Sequence, residues 1–93
     1  MMKINVRSFA FIREALGSKQ IQIEVQEGAT VKDAIFSLVK IHEKLADHLV
    51  QDGNVKNDFV FALNGEQVQF SEIETTQLAE NDTIVILPPA GGG

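Results

Sequence analysis

The stretch Thr83-Ile84-Val85-Ile86-Leu87-Pro88-Pro89-Ala90-Gly91-Gly92-Gly93 joins an apolar run to a tail of prolines and glycines. The apolar part is short and rich in β-branched residues, which is typical of a buried strand. The two prolines lack the backbone N–H that strand pairing needs, and the glycines can adopt almost any backbone conformation. The sequence therefore predicts a central strand over Thr83–Leu87 and, after it, an exposed tail that ends in the Gly93 carboxylate.

Composition limits the classes of protein that this chain can represent. A length of 93 residues, with 44% hydrophobic and 23% charged residues, is typical of one small globular domain. The absence of cysteine excludes disulfides, thiolate nucleophiles and iron–sulfur clusters. The net charge of −5 disfavours nucleic-acid binding, which requires clustered lysine and arginine. No apolar run approaches the length of a membrane span or a signal peptide, so we expect a cytoplasmic protein.

Alternating side chains predict the other strands. Residues 2–9 place Ile4 and Val6 on one face, and Gln20–Val25 alternates in the same way. Between them, residues 9–16 have helical spacing and are followed by Gly17, which predicts a short helix. Further along the chain, Asn64-Gly65 is a strong signal for a hairpin turn between strands at residues 59–63 and 66–70.

One amphipathic helix is predicted in the middle of the chain. Thr30 is a good N-cap, and Asp33 stands three residues later, where its negative charge favours the helix N-terminus. The apolar stripe consists of Val31, Ile35, Leu38, His42, Leu45 and Leu49. The spacing predicts a helix from Val31 to about Lys44, continued or followed by a second turn over residues 45–50. Residues 51–54 are predicted to be a loop, and residues 71–80 an irregular or 3₁₀ segment.

The order of these elements predicts an α+β roll in which one principal helix crosses a mixed sheet. The first and last strands are expected to lie side by side at its centre. This order is similar to that of the ubiquitin-like β-grasp fold. We therefore expect a domain at residues 1–87 and an extended tail at residues 88–93.

Four segments carry a resemblance to a known family. They are Arg7-Ser8-Phe9-Ala10-Phe11-Ile12-Arg13-Glu14-Ala15-Leu16-Gly17, Glu27-Gly28-Ala29-Thr30-Val31, Asn64-Gly65-Glu66, and the ending from Leu78 to Gly93. The chain resembles the MoaD/ThiS group of β-grasp proteins, in particular the small sulfur-carrier subunit of molybdopterin synthase. Archaeal small ubiquitin-like modifier proteins share these features. Asn81 stands where the family usually has a turn glycine, and asparagine tolerates the positive φ that such a turn requires.

The resemblance implies a function for the tail. Gly93 would be adenylated by a ubiquitin-activating-type adenylyltransferase that holds the ATP, and a sulfur donor protein would convert it to a thiocarboxylate. The sulfur would then pass to a pterin precursor on the large subunit of molybdopterin synthase. Gly92 and Gly91 would thread the partner's channel, and Phe9, Arg13, Leu87 and Pro88 would bind partners. The chain itself would hold no cofactor or metal and would not be catalytic alone.

Alternatives remain for the tail and for the partner-binding residues. The tail can serve a ubiquitin-like modifier that is joined through Gly93 to target lysines, or it can be incidental to a non-covalent binding module. Phe11 is a further candidate for partner binding, and Phe9 and Leu87 can equally be core residues. His42 is expected to be a half-buried helix residue rather than a ligand or a base. The acidic residues Glu72, Glu74, Glu80 and Asp82 are expected to solvate a loop, with docking to a basic partner as the less favoured interpretation.

Overall fold

A sheet of five strands forms the frame of the molecule, and a helix crosses one of its faces. The computed structural model describes residues 1–8, 20–56 and 59–87, apart from the side chains of Ser8 and His48. The elements are β1 (Met2–Ser8), β2 (Gln20–Val25), α1 (Val31–Ile41), a 3₁₀ turn (Glu43–Leu45), α2 (Ala46–Leu49), β3 (Val50–Gln51), β4 (Asn54–Val55), β5 (Val60–Leu63), β6 (Glu66–Val68), a 3₁₀ turn (Phe70–Glu72) and β7 (Thr83–Leu87). The helix predicted at residues 9–16 and the tail at residues 88–93 lie outside the described residues.

The first and last strands lie side by side at the centre of the sheet, as predicted. The strand order is β2-β1-β7-β5-β6, and β1 and β7 run parallel with Val6 opposite Ile84. The other neighbouring strands in this sheet pair in antiparallel fashion. This mixed sheet with one principal helix confirms the ubiquitin-like β-grasp fold expected from the sequence.

Helix α1 begins where the sequence predicts it to begin. The Thr30 hydroxyl accepts a hydrogen bond from the Asp33 backbone N–H at 3.3 Å, and the Asp33 carboxylate accepts one from the Thr30 backbone N–H at 3.0 Å. This capping box satisfies two N–H groups that an uncapped helix leaves without partners. The helix then buries Val31, Ala34, Ile35 and Leu38.

The predicted end of this helix at about Lys44 was wrong, because α1 ends at Ile41. His42 is the C-cap, with φ −119° and ψ 82°, and its backbone N–H donates to the Leu38 carbonyl at 2.9 Å. A 3₁₀ turn and the short α2 follow, and they bury Leu45 and Leu49 completely. The last two leucines of the predicted stripe are thus core residues, but they reach the core from the 3₁₀ turn and α2 and not from one continuous helix.

Two hairpins have turns with left-handed backbone conformations. Asn64 and Gly65 have φ values of 51° and 89°, which confirms the predicted turn between β5 and β6. Strand β6 ends at Val68 rather than at Phe70, since Phe70 already begins the 3₁₀ turn. The segment predicted as a loop at residues 51–54 is instead the turn of the small hairpin β3–β4, with φ 53° at Asp52 and 80° at Gly53.

The core lies between the sheet and α1. Its largest fully buried side chains are Phe61, Ile4, Ile35, Leu38, Leu45, Leu49, Ile84, Ile86, Val6 and Val31. Two apolar residues of the segment predicted to be irregular or 3₁₀, Ile73 and Leu78, are also buried. Within the described ranges, no helix has both the length and the apolar character that crossing a membrane would require.

Candidate functional site at the end of the central strand

Strand β7 leads directly to the tail and separates its side chains onto two faces. Ile84 and Ile86 are buried at 1% and 0% exposure, whereas Val85 and Leu87 on the opposite face are half-buried. Leu87 is opposite Val60 in the register with β5. Because β7 is paired on both sides, its direction is fixed by β1 and β5.

A network of side-chain hydrogen bonds lies at the N-terminal end of β7, opposite to the end that leads to the tail. The Asp82 carboxylate accepts from the Asn64 side-chain amide at 2.9 Å and from the Ala79 backbone N–H at 2.7 Å. The Asn64 side-chain oxygen in turn accepts from the Thr83 backbone N–H at 2.9 Å. Asn81, with φ 69°, makes the turn before the strand and confirms that asparagine replaces glycine there. The Asp82 carboxylate and the Asn64 side chain thus reinforce the backbone bond from the Asn64 N–H to the Thr83 carbonyl, which joins the β5–β6 hairpin to the start of β7.

Four aliphatic residues form a patch on the outer face of the sheet, the face away from α1. We call Val60, Ala62, Val85 and Leu87 the outer patch; the register places Val60 opposite Leu87 and Ala62 opposite Val85. All four are half-buried. The exposed Arg7 lies opposite Val85 on β1, so a basic side chain borders the patch. An apolar patch with a charged rim is typical of a surface that docks another protein.

The structure describes one of the predicted site residues. Leu87 lies in the outer patch, whereas Gly91, Gly92, Gly93, Phe9, Arg13 and Pro88 lie outside the described residues, as does Phe11. Sequence reasoning missed Val60, Ala62 and Val85 as neighbours of Leu87. Alternation along β7 would have put Val85 beside Leu87, but the contribution of β5 requires the strand register.

The remaining candidates have structural explanations. His42 is half-buried, as predicted, but it is the C-cap that follows α1 and does not lie within the helix. Glu74 pairs with Lys32 at 2.7 Å, and the Glu80 carboxylate accepts from the Lys3 backbone N–H. Together with Asp82, three of the four acidic residues are therefore used within the fold. Among the side chains that the structure describes, no group of three or more His, Cys, Asp or Glu is placed to hold a metal ion.

Comparison with known sequences decides the family. The sequence model of the ThiS family matches residues 6–93, which is nearly the whole chain and includes both β7 and the tail. The chain belongs to the ThiS family. This ThiS-family chain is 36% identical over 92 residues to small archaeal modifier protein 3 of Haloferax volcanii, covering 99% of this chain and 100% of the relative.

Two further relatives show the breadth of this similarity. The ThiS-family chain is 28% identical over 94 residues to the molybdopterin synthase sulfur carrier subunit of Mycobacterium tuberculosis, with 100% of both chains covered. The crystal structure of Haloferax volcanii small archaeal modifier protein 1 superimposes with a TM-score of 0.86 at 26% identity, covering 97% of this chain and 100% of that one. The proteins similar to this chain therefore include both a named sulfur carrier subunit and named modifier proteins.

Proposed function

We propose that the chain is a sulfur carrier whose reactive group is the C-terminal carboxylate of Gly93. The observation that carries this proposal is the family match, which extends without interruption through β7 and the tail to residue 93. The similarity to a named molybdopterin synthase sulfur carrier subunit supports molybdopterin synthesis as the pathway that receives the sulfur. We propose that this sulfur transfer takes place in the cytoplasm.

The chemistry requires activation of the carboxylate, because a carboxylate is a poor electrophile. An oxygen of the Gly93 carboxylate attacks the α-phosphate of ATP bound to an adenylyltransferase, and pyrophosphate leaves. A hydrosulfide ion released by a sulfur donor protein then attacks the carbonyl carbon. The new C–S bond replaces the C–O bond to AMP, and the product is a thiocarboxylate. Glycines at 91, 92 and 93 leave the reacting carbonyl sterically open.

The folded part of the chain has the complementary task of binding partners. The outer patch lies beside the end of β7 and exposes aliphatic side chains next to Arg7. We assign it as the docking surface for the adenylyltransferase and for the large subunit of a synthase. Phe9, Arg13 and Pro88 belong to the same proposal on the strength of the family resemblance. The pairing of β7 on both sides fixes Leu87, the last described residue before the tail, within this surface.

A second candidate function is covalent modification of other proteins. It is favoured by the 36% identity to a relative named as a modifier protein, which exceeds the 28% identity to the named sulfur carrier subunit. Here the adenylated Gly93 carbonyl would be transferred to a lysine amine and form an isopeptide bond. Both functions use the same activated tail and separate only after activation.

Intact-mass analysis of the chain purified from its native cell tests both functions. A sulfur carrier should show a mass change equal to the exchange of one oxygen for one sulfur, located at Gly93 by fragmentation. A modifier should instead appear in heavier conjugates whose digests contain a lysine linked to Gly93. The matched controls are a chain that lacks Gly92 and Gly93 and an Ala90→Gly variant, which preserves the tail length and its end.

The truncated chain should lose every modified form, and the Ala90→Gly variant should keep them. If the truncated chain still supported molybdopterin synthesis in a deficient strain, both tail-based functions would be rejected. A native mass that corresponds only to the unmodified chain, with no conjugates, would contradict the proposal in the same way.

A further inference from the structure

The outer edge of β2 is a surface that the proposed function does not use. Strand β2 lies at one end of the sheet order and pairs with β1 on one side. Within residues 1–8, 20–56 and 59–87, no strand pairs with its other side. Residues 21–25 contain no proline or lysine, two residues that commonly block strand pairing at an edge. Backbone N–H and C=O groups along this edge are therefore available to an additional strand.

A groove runs beside the last part of this edge. It has a volume of about 450 Å³ and lies between the end of β2, the turn at residues 26–29 and the flank of α1. Val25, Phe36 and Ser37 contribute to its walls. Phe36 is half-buried, and Lys32 Nζ lies 5.9 Å from the centroid of its ring, so the exposed part of the ring offers an apolar surface to a ligand. An added strand would place the side chains of its inner face against this surface.

The charges around the groove are mainly negative. Glu24, Glu27 and Asp33 line it, and the backbone amine of Met1 is the cation among its lining residues. The Asp33 carboxylate caps α1, whereas the Glu24 and Glu27 carboxylates form no hydrogen bond or ion pair with the described residues. The nearby Lys32 already pairs with Glu74 at 2.7 Å. The groove is thus complementary to a basic ligand.

The position of Glu24 on the outer face of β2 indicates where the basic side chains of a bound peptide would lie. Ile23 and Val25 point to the inner face and are buried, whereas Glu24 is exposed between them on the other face. In an added strand, alternate residues point to opposite faces. Lysine or arginine on the outer face would then lie beside Glu24, while aliphatic residues on the inner face would meet Val25 and Phe36.

We propose that the edge of β2 and its groove bind an extended peptide of alternating basic and β-branched residues, which adds to the sheet as a sixth strand. Backbone hydrogen bonds supply a sequence-independent part of the affinity, and the alternating side chains supply the specificity. A second copy of the chain that paired its β2 in the antiparallel register with Glu24 opposite Glu24 would bring two like charges together, which disfavours that arrangement.

Titration of the isotope-labelled full chain with the peptide acetyl-Lys-Val-Lys-Val-Lys-Val-amide tests the proposal by NMR. We expect the amide signals of residues 21–25 and of Phe36 to shift, in a saturable manner. A peptide with glutamate in place of each lysine should bind at least tenfold more weakly. Equal binding of the two peptides would overturn the role of charge and with it the proposed ligand.

N-methylated peptides test whether the ligand pairs as a strand. N-methylation of the valines, or of the lysines, removes alternate backbone donors and leaves the side chains unchanged. Because only alternate residues of an edge strand donate to their neighbour, one of these two peptides should bind at least tenfold more weakly and the other should bind nearly as well. Equal binding by both would show that no strand is added.

Paired variants separate the groove from the general acidity of the chain. The double variant E24Q/E27Q should weaken binding of the Lys-Val peptide by about fivefold, as expected for two exposed charge pairs. The matched control E66Q/E72Q removes the same charge from exposed positions outside the groove and should leave binding unchanged. Equal losses in both, shifts centred on the outer patch, or β2 shifts that depend only on protein concentration would each overturn the proposal.

Discussion

The inner and outer faces of the three central strands, β1, β7 and β5, differ in how far their side chains are exposed. On the inner face of β1, β7 and β5, Ile4, Ile86 and Phe61 are exposed by 0%, 0% and 1%. On the outer face of the same strands, Val60, Val85 and Leu87 are half-buried, and Arg7 is exposed. Because the side chains of a strand point alternately to its two faces, adjacent residues in one apolar run lie on opposite faces of the sheet. The inner residues stabilise the fold, while the outer residues form the surface that we propose for partner docking.

Removal of an inner side chain should have the largest effect on stability. We expect Ile86→Ala to lower the free energy of unfolding by about 2–5 kcal/mol, since it removes buried methylene groups and leaves a cavity. The matched control is Val85→Ala, the next residue on the outer face, with an expected loss of less than about 1 kcal/mol. Urea unfolding followed by circular dichroism measures both. Equal losses in the two variants would remove the distinction between the faces.

The carboxylate at the start of β7 should have the next largest effect. Asp82→Ala deletes the acceptor for the Asn64 amide and the Ala79 backbone N–H, and we expect a loss of about 1–3 kcal/mol. The control is Glu66→Ala. Glu66 lies on the β5–β6 hairpin, like Asn64, but is exposed, and its substitution should change the free energy of unfolding by less than about 0.5 kcal/mol. Equal unfolding midpoints of the Asp82 variant and the unmodified chain would show that the network does not fix β7.

The cap of α1 tests the layer that covers the inner face. Thr30→Ala should lower the free energy of unfolding by about 1 kcal/mol, because it removes the hydroxyl that accepts from the Asp33 N–H. Thr30→Ser keeps the hydroxyl and should restore most of the stability in the same urea measurement. If serine and alanine were equally destabilising, the loss would come from packing of the threonine methyl group and not from the cap.

Substitution on the outer face should have the smallest effect on stability and a large effect on partner binding. We expect Val85→Ser to change the free energy of unfolding by less than about 1 kcal/mol. It should weaken binding to the adenylyltransferase by about tenfold or more, as measured by isothermal titration calorimetry. Gln67→Ser is the control on the same face, because Gln67 lies opposite Ala62 but is exposed. Equal affinities of the two variants for the adenylyltransferase would show that the docking surface lies elsewhere.

Local signals predicted much of this fold. The bounds of β2 and β7 are confirmed at both ends, because alternating apolar residues and flanking turn residues define them within the segment itself. The end of α1 was not predicted, since no glycine or proline marks Ile41. Burial of Leu45 and Leu49 in the core accompanies the break there. The β3–β4 hairpin was missed, although Asp52-Gly53 carries a recognised turn signal.

The candidate site was harder to predict than the strands that form it. The sequence identified Leu87 as a partner-binding residue through a family resemblance. The outer patch also needs Val60 and Ala62, which lie more than 20 positions earlier in the chain. Only the antiparallel register of β5 and β7 brings them beside Leu87. The free edge of β2 likewise follows from the strand order, which local sequence patterns do not contain.

The parallel pairing of β1 with β7 also affects the order of events during synthesis. The first strand to leave the ribosome cannot gain its central neighbour until residues 83–87 have been translated. Contacts between such distant segments form slowly, because the intervening chain must close a long loop. A partly synthesised chain thus lacks both the completed sheet and the tail. A partner that recognises the finished outer face would therefore encounter only chains that have been translated through residue 87.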